Sequence, residues 1–171
     1  MKKGGRSAAP GLKAEMAMRN TVAAMLGGVA VAWACAAAAG PLPEGGVTVA
    51  DVAGVMRALQ MQVDQRTDKE GDPLINSTVS GRRFGVYFYQ CRAQRCGSIQ
   101  FSAGFEGASN VPAARVMEWN RTKRFGRAYL DSGTLFVEMD MDVERGATTE
   151  ALANNLERWA AVVDQFPKFF E

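Results

Sequence analysis

Apolar residues in this chain recur at two periods, and the switching between them lays out the elements. From Val47 to Met61, Val52, Val55, Met56 and Leu59 fall three and four apart. That is the spacing of a helix with one buried stripe, and Thr48 stands where a side chain caps the first turn. Gln62 to Asp68 is polar with a single Val and reads as a short edge strand. Lys69-Glu70-Gly71-Asp72-Pro73 is a turn, Leu74 to Ser80 is strand-like, and Gly81 marks another turn.

The clearest pattern is Phe84 to Phe105, FGVYFYQCRAQRCGSIQFSAGF. Two period-two runs flank a short polar loop with Cys91 and Cys96 at its necks, which predicts a β-hairpin. If Cys91 faces Cys96, then Tyr89 faces Ser98, Phe88 faces Ile99 and Val86 faces Phe101. The large aliphatic and Phe side chains then fall on one face, which supports the register independently. Directly opposed residues in antiparallel strands are close enough for a disulfide, so the two cysteines are expected to be bonded. So short a loop contributes about 2 kcal/mol in the chain-entropy account. A redox pair is the competing reading, with Arg92 and Arg95 stabilising thiolates, but the C-x-x-C helix start of oxidoreductases is missing.

Ser109-Asn110-Val111-Pro112 announces a helix, with a cap candidate and an early proline. Ala113, Val116, Met117 and Trp119 carry its apolar stripe to about Lys123. Arg124 to Asp131 and Thr134 to Val143 then flank Ser132-Gly133. A two-residue turn pairs Leu130 with Leu135, Ala128 with Val137 and Gly126 with Met139 on one face. Tyr129 with Phe136 and Arg127 with Glu138 fall on the other. Thr148 or Thr149 caps a last helix whose stripe is Leu152, Leu156, Trp159, Ala160 and Val163, and Pro167 is expected to end it. The order predicts an α+β fold, an antiparallel β-sheet with three main helices packed against it.

The first 39 of the 171 residues differ from the rest. Lys2, Lys3, Arg6, Lys13 and Arg19 precede an apolar run, Thr21 to Ala34, and small residues from Ala36 to Gly40. This is the layout of a secretory signal peptide, with Met16 or Met18 as alternative starts. The expected organisation is therefore a signal over 1–39, a linker over 40–46 and one domain over 47–171. The expected location is the periplasm of a Gram-negative bacterium, and membrane contact is expected only through the signal during export. Cys35 invites lipidation, but the bulky Trp33 stands where a small side chain is needed. Beyond residue 39 the chain has 15 Lys and Arg against 17 Asp and Glu. That balance gives no general attraction to nucleic acid, and none is expected as a partner. Histidine is absent throughout, which removes the usual general base and the commonest metal ligand.

These signatures together resemble the YbjN family, described as bacterial sensory transduction regulators. The matching pieces are GDPLINS, FGVYFYQC with CGSIQFSAGF, EWNRTKRFGRAYLD, LFVEMDMDV and the Trp159 helix ending in Phe166. The resemblance covers about Val47 to Phe170. It implies a fold similar to type III secretion chaperones, and it carries no catalytic residues over.

Candidate chemistry is sparse. Glu138, Asp140, Asp142 and Glu144 alternate along one strand, but carboxylates about 7 Å apart on an extended chain do not converge on an ion. A solvated face with cross-strand Arg partners is the expectation, and no metal or cofactor is expected. Trp119 is expected to fill the core, and Asn120 to satisfy backbone groups at its helix end. No nucleophile motif, phosphate loop or pair of opposed acids appears, so no enzymatic activity is expected. Tyr87, Tyr89, Tyr129 and Phe136 fall on the sheet face opposite the core. With Trp119, Asn120, Arg121, Arg124 and Arg127 they form the candidate interaction surface. The leading expectation is a non-enzymatic exported module, regulatory or chaperone-like, that binds a protein partner or a second copy of itself. The alternative is a sensor of a small anion held by Arg121 to Arg127.

Overall fold

The computed structural model describes residues 40–171, and the proposed signal lies outside them. Three helices and a six-stranded antiparallel sheet make up the α+β fold that the periodicity predicts. Helix α1 is Val49–Ala58, α2 is Ala113–Thr122 and α3 is Thr149–Phe170. The sheet contains β2 (Asp64–Thr67), β3 (Pro73–Val79), β4 (Arg82–Arg92), β5 (Arg95–Phe105), β6 (Arg127–Asp131) and β7 (Thr134–Asp142). Its spatial order is β2-β3-β4-β5-β7-β6. A second sheet pairs β1 (Pro41–Leu42) with β8 (Ala147–Thr148). Helices α1 and α3 cover one face of the large sheet, while α2 lies along β6 at its edge. No helix among the described residues is long and apolar enough to cross a membrane.

Three hairpins of the large sheet turn through two residues with positive φ: Ser80-Gly81, Ala93-Gln94 and Ser132-Gly133. Such turns match the right-handed twist of the strands they join. The middle one uses Ala and Gln, whose side chains favour this conformation far less than Gly does. The expected registers hold: Cys91 opposite Cys96, Tyr89 opposite Ser98, Phe88 opposite Ile99 and Val86 opposite Phe101. In the second hairpin Leu130 faces Leu135, Ala128 faces Val137, Tyr129 faces Phe136 and Arg127 faces Glu138. Gly126 does not face Met139, because β6 begins one residue later. Gly126 instead has φ +82°, and its carbonyl accepts from Trp119 Nε1 at 2.7 Å.

The core lies between the sheet and the helices. Phe84, Val86, Phe88, Ile99, Phe101 and Val137 come from alternate strand positions, and Val52, Met56, Leu152, Leu156 and Trp159 from the helices. Trp159 stacks on Phe101 at 5.9 Å and meets Phe84 edge-on at 6.1 Å. Full burial of side chains of this size is worth roughly 1.5–3 kcal/mol each and dominates the stability of the domain.

Three local expectations are corrected. Helix α3 does not end at Pro167 but runs to Phe170. The missing proline N–H is tolerated because Phe166, Phe169 and Phe170 all pack against Trp119, and Arg115 Nη2 donates to the Phe169 carbonyl. Helix α2 has Pro112 at its N-cap and no side-chain cap there. Ser109, a cap candidate, lies instead against the turn, where a Cβ on Gly133 would sit 2.7 Å from its hydroxyl. Residues 40–46, expected to link, are fastened to the domain. Leu42 is buried in β1, and Gly45 N–H donates to the Glu144 carbonyl at 2.8 Å.

The caps of the other helices are as the sequence suggests. Thr48 and Asp51 form a reciprocal capping box on α1, and the Thr148 hydroxyl accepts from Ala151 N at 2.9 Å on α3.

Candidate functional site

The face of the large sheet turned away from α1 and α3 carries the candidate aromatic row. Strand alternation places Leu74 and Asn76 (β3), Tyr87 and Tyr89 (β4), Gln100 and Ser102 (β5), Phe136 and Glu138 (β7) and Tyr129 (β6) on this side. Tyr89 is the most open of the aromatics at 45% exposure, while Tyr87, Tyr129 and Phe136 are half-buried against their neighbours. Tyr129 stacks on Phe136 with centroids 5.1 Å apart.

Two glycines shape the surface between the rings. A Cβ at Gly85 would lie 2.7 Å from the Tyr87 ring, and one at Gly104 would lie 2.9 Å from the Phe136 ring. Both rings therefore lean over bare backbone. The result is an open groove of about 800 Å³ with Asn76, Thr78 and Arg83 on one side and Phe136 on the other. Glycine in the interior of a strand marks close approach of another group, and Gly85 and Gly104 were the available sequence signals for this groove. The groove itself was not expected, because its walls come from five strands, β2, β3, β4, β5 and β7.

Glu138 organises the end of this face. It is only 8% exposed and accepts from Tyr129 OH at 2.7 Å and from Arg127 Nη2 at 2.5 Å. Burial and the hydrogen bond to Glu138 push Tyr129 up to about 12. Arg127's own hydrogen bond to Glu138 raises it further above its usual range, and burial raises Tyr89. Asp140 accepts from Gln100 Nε2 at 2.9 Å, and Asp142 accepts from the Glu144 backbone at 3.0 Å. The carboxylates of Glu138, Asp140 and Asp142 are thus engaged by neighbours across or along the strand. Among the described residues no group of three or more acids, cysteines or histidines is arranged to hold a metal.

The remaining candidate residues sit elsewhere. Trp119 is 1% exposed and belongs to the core, away from the aromatic row of the sheet face. The large indole is drawn in by the α3 phenylalanines and by its bond to Gly126. Asn120 does not serve its own helix end. Its Oδ1 accepts from Ala128 N at 2.7 Å and its Nδ2 donates to the Ala128 carbonyl at 2.9 Å. The amide thereby stands in for a neighbouring strand along the outer edge of β6, and the Trp119 bond to Gly126 extends the same cover. Edges left bare are templates for unwanted pairing. Arg121 and Arg124 are exposed on the α2 side, whereas Arg127 is on the sheet face with Glu138. The expected run Arg121 to Arg127 is therefore not one surface.

The disulfide joins Cys91 to Cys96 with Cα atoms 3.9 Å apart. Cys96 shares strand parity with Ser98 and Gln100 yet is buried, because residues 46–47 pair across it. Val47 N donates to the Cys96 carbonyl at 3.0 Å and Cys96 N to the Val47 carbonyl at 2.8 Å. Arg95 Nη1 donates to the Gly46 carbonyl at 2.6 Å and approaches Asp51 at 3.9 Å. Gly46 is required there, since a Cβ would lie 2.2 Å from the Cys96 oxygen. The clipped hairpin tip therefore holds the entry to α1.

Neither the curated proteins nor the solved structures contain a match to this chain. A family model does match, over residues 48–171, and its description reads "Putative bacterial sensory transduction regulator". That span takes in all three helices and the whole large sheet, so the chain belongs to the YbjN family.

Proposed function

We propose that this protein is an exported, non-enzymatic regulatory module that binds a protein partner through the helix-free face of its sheet. The observation that carries the reading is the aromatic row over the Gly85–Gly104 groove, on a face that no helix among the described residues covers. The Tyr87 and Phe136 rings over bare backbone offer large contact area at little cost in side-chain entropy, which suits protein recognition. The groove is mixed in character, with Asn76, Arg83 and Ser102 beside the rings. An apolar side chain flanked by peptide hydrogen-bonding groups fits it better than a purely hydrophobic surface. The family description supports a regulatory role. The basic segment, apolar run and small residues before position 40 support export, and a bonded cysteine pair is in keeping with an oxidising compartment.

The test is a photo-crosslinking amino acid placed at Tyr89 in the full chain, expressed in a Gram-negative host. The expected product is an adduct of discrete mass in the periplasmic fraction. It should disappear when Tyr87→Ser and Phe136→Ser are added. Twice the chain's own mass would identify the partner as a second copy. No adduct, or one indifferent to the two substitutions, overturns the assignment of the face. An uncleaved chain in the cytosol overturns export.

A further inference from the structure

Two guanidinium groups from separate elements flank the exposed Phe125 ring, and a lysine lines the same recess, without a neutralising acid. Lys123 closes α2, Arg124 follows it, and Arg158 comes from α3. The Arg158 guanidinium stands 4.5 Å from the Phe125 ring centroid and the Arg124 guanidinium 5.4 Å from it. Lys123 Nζ lies 5.7 Å from the Trp119 ring and 5.5 Å from Phe169. Among the described residues none of these three cations forms an ion pair. Among the described residues the one side-chain hydrogen bond of the group runs from Arg158 Nη1 to Asn155 Oδ1 at 3.0 Å, which steadies the guanidinium without neutralising it.

This clustering is not a by-product of a basic protein. Beyond residue 39 acids outnumber bases, 17 to 15. Nor does the end of α2 account for it. A helix C-terminus carries roughly half a negative charge, which one lysine offsets. Two guanidinium groups then remain against one ring, an arrangement whose repulsion an anion would relieve. They flank a recess of about 140 Å³ whose remaining walls include Trp119, Phe125 and Gln165. Drug-sized ligands need roughly 300–1,000 Å³, so the recess admits a single oxyanion and not a whole nucleotide. Guanidinium forks match the oxygens of a phosphate two at a time, and the aromatic rings beneath hold the cations in place before a ligand arrives. Phe125, 39% exposed, offers an apolar surface beside the charge for the body that bears the phosphate.

We propose that Lys123, Arg124 and Arg158 form a phosphate-binding site that takes the phosphate group of a phosphoester. It lies at the α2–α3 junction and is independent of the sheet face.

The purified full chain is titrated with inorganic phosphate at constant ionic strength, followed by indole fluorescence and by the Trp119 indole N–H resonance. Two double variants accompany it. Arg124→Gln with Arg158→Gln removes the site, and Arg57→Gln with Arg145→Gln removes the same charge elsewhere. Saturable binding that falls at least tenfold in the first pair and is unchanged in the second is the expected result. In the wild type the shifted resonance should be that of Trp119. Parallel sedimentation uses phosphatidylcholine vesicles with and without phosphatidylglycerol. Retention on the anionic vesicles that depends on the same two arginines assigns the phosphate to a lipid headgroup. A response to soluble phosphate alone assigns it to a soluble phosphoester. Equal behaviour of all three proteins in both arms, or wild-type shifts confined to residues away from Trp119, overturns the proposal.

Discussion

Replacing Asn120 by alanine removes two hydrogen bonds at once, both to the same buried residue of an edge strand. A net hydrogen bond contributes about 1 kcal/mol, so the pair contributes about 2 kcal/mol. Alanine regains roughly 0.5 kcal/mol through its better helix propensity. Asn120 itself borders solvent, so water can reach the abandoned groups and the penalty stays at the low end. The expected loss is about 1.5 kcal/mol, or roughly 5 °C for a domain of this size. Asn120→Asp should cost at least as much. It keeps the acceptor for Ala128 N–H but sets a carboxylate against the Ala128 carbonyl and adds negative charge at a helix C-terminus. Urea unfolding followed by circular dichroism measures the totals. Amide exchange locates them: the Ala128 amide should exchange faster in both variants by more than the global change accounts for. A loss under 0.5 kcal/mol by the free-energy scale of a single hydrogen bond, with Ala128 exchange unaltered, would refute the edge-cap role.

Reduction of the Cys91–Cys96 bond should lower stability by about 2 kcal/mol, the entropic value of so small a loop, without unfolding the domain. Equilibrium denaturation with and without a phosphine reductant reads this directly, and unfolding on reduction alone would show that the bond does more than close the loop. The raised Tyr129 gives a second, pH-dependent test. A phenol whose folded value is about 12 against an ordinary 10.0 holds its stabilisation in full below pH 10 and loses it as pH climbs towards 12. Stability measured by denaturant at stepped pH should fall over that window less steeply in Tyr129→Phe than in the wild type. Parallel slopes in the two proteins would contradict the raised folded value that burial and the Glu138 hydrogen bond give Tyr129.

Both hairpins were legible from alternation alone. A slip of one residue would have turned Phe88, Ile99 and Phe101 to solvent, so burial and register specify each other. The capping Thr48 and the helical stripe of α3 were legible for the same local reason, that a period of 3.6 aligns one face. Pro167 misled because its cost is local, whereas the gain that outweighs it comes from Trp119, far away along the chain. Arg158 gave no signal as a site residue, since nothing near it in sequence distinguishes it from any polar position on a helix.

Secondary structure, strand pairing and the cysteine clip follow from neighbours and short loops, whose energetics are written in consecutive residues. The role of Asn120 against β6, the covering of Cys96 by Val47 and the gathering of Lys123, Arg124 and Arg158 at one recess exist only once distant segments are packed together. Such contacts depend on where the core draws the elements, and a linear pattern carries no record of that geometry.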